Sequence, residues 1–218
     1  MRILFIHGRS QGKKSSDILR EEWGAALARG LADAGLRLPD GIAFDYPFYG
    51  KTLDDFVDQA KLPKVSDIVS MGGSSGDPGF DSFTRSVLQE IESRGEISEE
   101  GVRAQMDPGS EITEMGPQNW AWVRAFVRAV DARWPGFSGA RINDFLTDVW
   151  LSLDKPAVQS AIDAIIEAEL TDEPTLVVSP SLGTVVAYNI LGKNKINLIG
   201  LLTLGSPVAI KAITPKLG

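Results

Sequence analysis

The residues best suited to chemistry lie in TLVVSPSLGTVVAYN, residues 175 to 189, where Ser179, Ser181 and Gly183 alternate with Pro180 and Leu182. An apolar run of strand character leads into Ser181 and an apolar run of helical character leads out of it, so the serine falls on a sharp strand-to-helix turn. A turn of this kind exposes the hydroxyl and sets it beside the first N–H groups of a helix, which favour a negatively charged oxygen. The matching chemistry is attack on an ester or amide carbonyl, with water later hydrolysing the acylated serine. The positions two before and two after such a nucleophile must be small, and here they are Ser179 and Gly183. The alternative reading is a serine that merely caps the following helix. A nucleophile needs a base, and the chain holds a single histidine, His7, in RILFIHGRS.

These residues need elements to hold them. RILFI at 2–6 is a short, continuous apolar run that suits a strand buried on both faces. Ile18, Trp23, Ala26, Leu27, Leu31 and Ala34 then recur at helical spacing up to Gly35, and IAFDYPF at 42–48 reads as a second strand. Between about 50 and 118 the pattern weakens to an irregular insertion holding one clear amphipathic helix, with Phe83, Val87, Leu88 and Ile91 on its face. Helical spacing returns from Gln118, where Trp120, Val123, Phe126, Val127, Val130 and Trp134 form a stripe, and continues through Ile142, Phe145, Leu146, Val149, Trp150 and Leu153. Asp154 is the expected N-cap of a further helix with Pro156 in its first turn and Val158, Ile162, Ile165 and Ile166 on its buried face. TLVVS, the helix SLGTVVAYNIL and the strand within NLIGLLTLGSP complete the order. Strands separated by helices predict an α/β domain spanning 1–218, with a mainly parallel sheet that binds ligands beyond the carboxyl ends of its strands. Ser181 and the HGRS loop both fall at that edge.

ILFIHG, VVSPSLGTVVAYNIL and GLLTLGSPVAI together resemble the α/β-hydrolase superfamily, and its bacterial lipase- or esterase-like members in particular. The resemblance implies a three-layer α/β/α fold and a serine esterase in which Ser181 is the nucleophile on its elbow. It further implies an oxyanion hole built from the backbone N–H of Leu182 and a second N–H from Arg9 or Gly8, with His7 shaping that loop. Two departures stand out. Pro180 occupies the place where many relatives carry histidine, and it removes one backbone donor. The family's acid and histidine follow the nucleophile on later strands, yet VAIKAITPKLG after the last strand contains no Asp, Glu or His. Three expectations follow: an acid and base beyond Gly218 with the sheet incomplete at its C-terminal side; a catalytically inactive binding or regulatory module; or an acyltransferase on the same turn.

Composition narrows the partners. With 22 Lys+Arg against 29 Asp+Glu the chain carries a net charge of −7, which argues against nucleic acid. It has no cysteine, which removes thiolate chemistry and, with one histidine, argues against a metal site. The glycine-rich stretch MGGSSGDPG and GKKSS both lack the spacing of a phosphate-binding loop. No apolar segment has the length of a membrane span or a signal peptide, which predicts a cytoplasmic protein. The expected partners are a small acyl substrate and either a second copy or the missing C-terminal segment, with no cofactor and no metal.

Overall fold

The computed structural model describes residues 1–63, 75–94, 97–107, 120–133 and 139–217. It is mixed α/β with a four-stranded, all-parallel sheet in the order β2-β1-β3-β4, formed by β1 (Arg2–Phe5), β2 (Ala43–Asp45), β3 (Thr175–Pro180) and β4 (Leu198–Leu204). Among the described residues the helices are α1 (Ser16–Asp33), α2 (Gly50–Ala60), α3 (Pro78–Ser93), α4 (Glu99–Arg103), α5 (Trp120–Arg133), α6 (Gly139–Asp154), α7 (Pro156–Glu167) and α8 (Leu182–Lys193).

The chain divides into two compact units. The first comprises Met1–Gln59, Leu151–Val208 and Leu217–Gly218 and contains the sheet. Its central strands explain the continuous apolar runs. β1 lies between β2 and β3, with Leu4 opposite Val177 and Phe5 opposite Val178, and Ile3, Leu4 and Phe5 are all buried. Ile3, Phe5, Leu19, Tyr46 and Val178 form a core onto which Trp23, Leu27 and Phe44 pack, with the Phe5 ring stacked on Tyr46 at 4.8 Å and set edge-on to Trp23 at 5.1 Å. Arg2 reaches across to β2, its Nε donating to Asp45 at 2.8 Å. From β1 the chain runs to β2 on one side, while β3 lies on the other. The strand order therefore reverses between β1 and β3, the place where open parallel sheets leave a crevice at their carboxyl ends.

The second unit comprises Ala60–Trp150 and Ala209–Lys216. Phe80, Phe83, Val87 and Leu88 of α3, Val102 of α4, Trp122, Val123 and Phe126 of α5, and Leu146, Val149 and Trp150 of α6 are buried in it. Phe83 lies 5.5 Å from the Trp150 ring, whose π-face also holds the Lys216 ammonium at 5.0 Å. The Glu90 carboxylate accepts from the backbone N–H of Lys211 at 2.6 Å, tying residues 209–216 to α3.

Four expectations differ from the structure. In α1 the buried residue is Leu19, with Trp23 and Leu27 half-buried, whereas Ile18 is 44% exposed. The helix is polar on most of its surface and carries alanines all round, so its apolar spacing did not define one phase. The 50–118 interval holds α2 and α4 as well as α3; both are short and rich in acidic residues, which hides their apolar positions. The N-cap of α7 is Lys155 rather than Asp154, because Pro156 takes the first helical position and Asp154 still belongs to α6. β2 is only Ala43–Asp45, since Pro47 cannot continue the ladder. The Gln118 helix start, Trp134 and residues 71–74 of the glycine-rich stretch lie outside the described residues, as does the Trp120 side chain.

Candidate functional site

β3 ends at Pro180, which stands opposite Leu204, and the next amide continues the bonding to β4: Ser181 N–H donates to the Leu204 carbonyl at 2.8 Å. Pro180 therefore closes the strand without interrupting this contact, as a proline at a strand end can. Ser181 follows with φ 48 and ψ −124, a conformation that an L-residue adopts only under constraint. α8 starts at Leu182.

Constraint comes from below and from the side. A Cβ on Gly183 would lie 2.2 Å from the Ile6 carbonyl oxygen and 2.6 Å from that of His7, so the first turn of α8 presses directly on the backbone leaving β1. Only glycine allows that approach. A Cβ on Gly8 would lie 3.2 Å from the Pro180 carbonyl oxygen and 3.6 Å from Ser181 Cβ, which brings the loop after β1 against the serine turn. Thr184 secures the other side: its N–H donates to the Ser181 carbonyl at 3.0 Å and its hydroxyl to the same oxygen at 2.7 Å, with Ser206 Oγ 2.9 Å from that hydroxyl. Ser206 in turn accepts from Val208 N–H at 3.3 Å.

The Ser181 side chain makes no capping hydrogen bond to α8. The residue is half-buried, and its hydroxyl makes no hydrogen bond among the described residues. The N–H groups of Gly8, Leu182 and Gly183 likewise have no acceptor among the described residues. Leu182 and Gly183 stand in the first helical turn, where N–H groups lack an intrahelical partner and attract negative charge. A hydroxyl on a constrained turn, beside unspent donors, can attack an electrophilic carbonyl and receive support for the oxygen that becomes negative.

His7 is 2% exposed, and both of its ring nitrogens are spent on backbone. Nδ1 lies 2.7 Å from the Gly8 carbonyl oxygen and Nε2 accepts from Tyr49 N–H at 3.1 Å. A carbonyl can only accept and an amide N–H can only donate, so the imidazole is the neutral form with its proton on Nδ1. Burial pushes its pKa down to about 4, the hydrogen bond to Gly8 opposing. The ring stacks on Tyr49 with centroids 3.9 Å apart, and the Tyr49 hydroxyl donates to the His7 carbonyl. In this arrangement His7 holds the loop and has no lone pair directed at Ser181.

Arg9 continues this loop, its carbonyl accepting from Gln11 Nε2 at 2.9 Å. Farther along, Gly12 and Gly50 pack backbone to backbone, since a Cβ on Gly50 would lie 2.9 Å from Gly12 N. Asp54 lies beside Gly12; burial, then Asp58 and Asp55, raise its pKa, while Lys13 and Arg9 oppose. The structure thus gathers Ser181, Leu182, Gly8 and His7 at the carboxyl ends of β1 and β3. It adds Tyr49 and Ser206, which carry no sequence signal because their roles depend on contacts between distant segments, and Thr184, which bonds locally to the Ser181 carbonyl and across to Ser206. Among the described residues no group of three or more His, Asp or Glu side chains could hold a metal ion, and no helix is long and apolar enough to cross a membrane. No protein-family model, no curated protein and no solved structure matches the chain.

Proposed function

We propose that this chain is a serine hydrolase of the α/β-hydrolase type, with a three-layer α/β/α arrangement, that cleaves an ester through an acyl-enzyme on Ser181. The observation that carries the reading is the backbone of Ser181, held at φ 48 between β3 and α8 with Gly183 and Gly8 packed against the turn. In the reaction Ser181 Oγ attacks the ester carbonyl and its proton passes to a general base. The carbonyl oxygen becomes an oxyanion met by the Leu182 N–H and by an N–H of the Gly8–Arg9 segment. Collapse of this intermediate breaks the bond to the alkoxy group, which leaves as the alcohol with the proton from the base. Water then repeats the sequence on the acyl-enzyme and releases the acid.

The base and its acid come, in this proposal, from a polypeptide segment that adds to the edge of β4 that no strand pairs among the described residues. β4 is LIGLLTL, without a charge or a proline, and Leu198, Ile199, Leu202 and Leu204 are between 41% and 54% exposed. An open apolar edge of this kind invites a further strand. Ser181 N–H bonds to the last residue of β4, so loops at the carboxyl end of an added strand would approach the serine.

One observation favours a second reading, a hydrolase-like binding module without turnover: the imidazole of His7 is fully committed to backbone. The two readings separate in one experiment. Protein expressed from its complete coding sequence is incubated with short-chain and medium-chain nitrophenyl esters, with Ser181→Ala as control. Release of nitrophenol that disappears in the variant supports the hydrolase. Saturable binding of the acyl compound with equal background release from both proteins supports the binding module.

A further inference from the structure

We propose that Tyr49 is the positioning residue of the oxyanion loop, acting through His7 to set the direction of the Gly8–Arg9 peptide; the inference rests on the reading of Ser181 as a nucleophile. Tyr49 is fully buried and holds His7 at three points: its amide N–H donates to Nε2, its hydroxyl donates to the His7 carbonyl, and its ring lies on the imidazole. Since Nε2 is occupied as an acceptor, the imidazole proton resides on Nδ1 and is donated to the Gly8 carbonyl. That carbonyl is thereby turned toward the buried ring. The described chain has no cis peptide, and in a trans peptide N–H and C=O point in opposite directions. The N–H of that peptide is consequently directed to the side opposite the imidazole, so the buried ring sets the orientation of the Gly8–Arg9 peptide whose Gly8 end lies against Ser181. The His7 carbonyl is pinned between the Tyr49 hydroxyl and Gly183, whose missing Cβ leaves it room. One buried tyrosine thus couples the start of α2 to the two loops that meet at Ser181.

The test uses protein expressed from its complete coding sequence and measures two quantities. The first is the rate of Ser181 modification by a fluorophosphonate, separated into probe affinity and the first-order bonding step. The second is the protonation pattern of the His7 ring from long-range ¹H–¹⁵N spectra. Tyr49→Phe keeps the ring and the amide but removes the hydroxyl; it is expected to slow the bonding step about ten- to a hundredfold with unchanged affinity, less than the loss of a whole oxyanion donor. His7→Asn retains a donor in the place of Nδ1–H, whereas His7→Gln does not. The asparagine variant is expected to label at least about tenfold faster than the glutamine variant, a difference that survives even if Tyr49→Phe does not fold. Wild-type rates in a folded Tyr49→Phe, or equal rates in the two His7 variants, would overturn the proposal. If wild type itself is not labelled, the nucleophile reading fails, and the latch is judged on the ring alone: a proton on Nε2, or an imidazolium at pH 6, overturns it.

Discussion

Ser181 stores strain that a single substitution can release. Its φ of 48 with ψ of −124 is hindered by any Cβ and open to glycine, and non-glycine residues held in such regions cost about 1–3 kcal/mol. Ser181→Ala keeps the Cβ and removes a hydroxyl that makes no capping bond, so its stability is expected to stay within about 0.5 kcal/mol of wild type. Ser181→Gly also removes the Cβ. The strain relieved exceeds the roughly 0.5–1 kcal/mol that glycine adds to the entropy lost on folding, leaving the glycine variant about 1 kcal/mol more stable than the alanine variant. In urea equilibrium unfolding, with a slope of about 2 kcal/mol/M, the midpoint moves up by roughly 0.5 M between the two variants. The order of stabilities is what matters. A glycine variant no more stable than the alanine variant would refute the strain. A loss of about 1 kcal/mol in Ser181→Ala would instead identify a helix cap.

Further outcomes follow from the same geometry. Gly183→Ala forces a Cβ against two backbone carbonyls and is expected to destabilise the protein by more than about 3 kcal/mol in the same unfolding assay. Gly24→Ala, in an open position of α1, should gain up to about 1 kcal/mol. His7 has a folded pKa of about 4 against an ordinary 6.5, so the unfolded chain takes up the proton first as pH falls. Its contribution to stability is complete above pH 6.5 and is lost between 6.5 and 4, about 3 kcal/mol in all, a loss that unfolding at pH 7.5 and pH 4 should show in wild type but not in His7→Asn. Ile199→Lys places a charge on the open edge of β4 and should reduce fluorophosphonate labelling of Ser181 at least about tenfold; an unchanged rate would mean that the base does not arrive along that edge.

The sheet was legible because its strands are short apolar runs with few competing readings, and RILFI and TLVVS are buried where such runs must be. The serine turn was legible for a related reason: small residues at 179 and 183 make sense only where backbone segments crowd, and Gly183 indeed lies against Ile6 and His7. Helix phase was less so. With alanine and glycine spread around α1, nothing in its spacing favoured Leu19 over Ile18 as the buried residue, and the contact with Phe5 and Tyr46 decided it. Tyr49 and the Thr184–Ser206 pair were not legible, because the hydrogen bonds from Tyr49 to His7 and between Thr184 and Ser206 arise only when segments 42 and 22 residues apart meet. His7 itself was visible as a lone histidine after a strand, but its tautomer and commitment to backbone depend on Tyr49.

Whether Ser181 is a nucleophile is read most directly by intact mass spectrometry of the protein expressed from its complete coding sequence, before and after a fluorophosphonate, with Ser181→Ala in parallel. One phosphonyl adduct is expected on wild type, mapped to the peptide containing Ser181, and none on the variant. No adduct on wild type, or an adduct that persists in Ser181→Ala, would contradict the nucleophile reading.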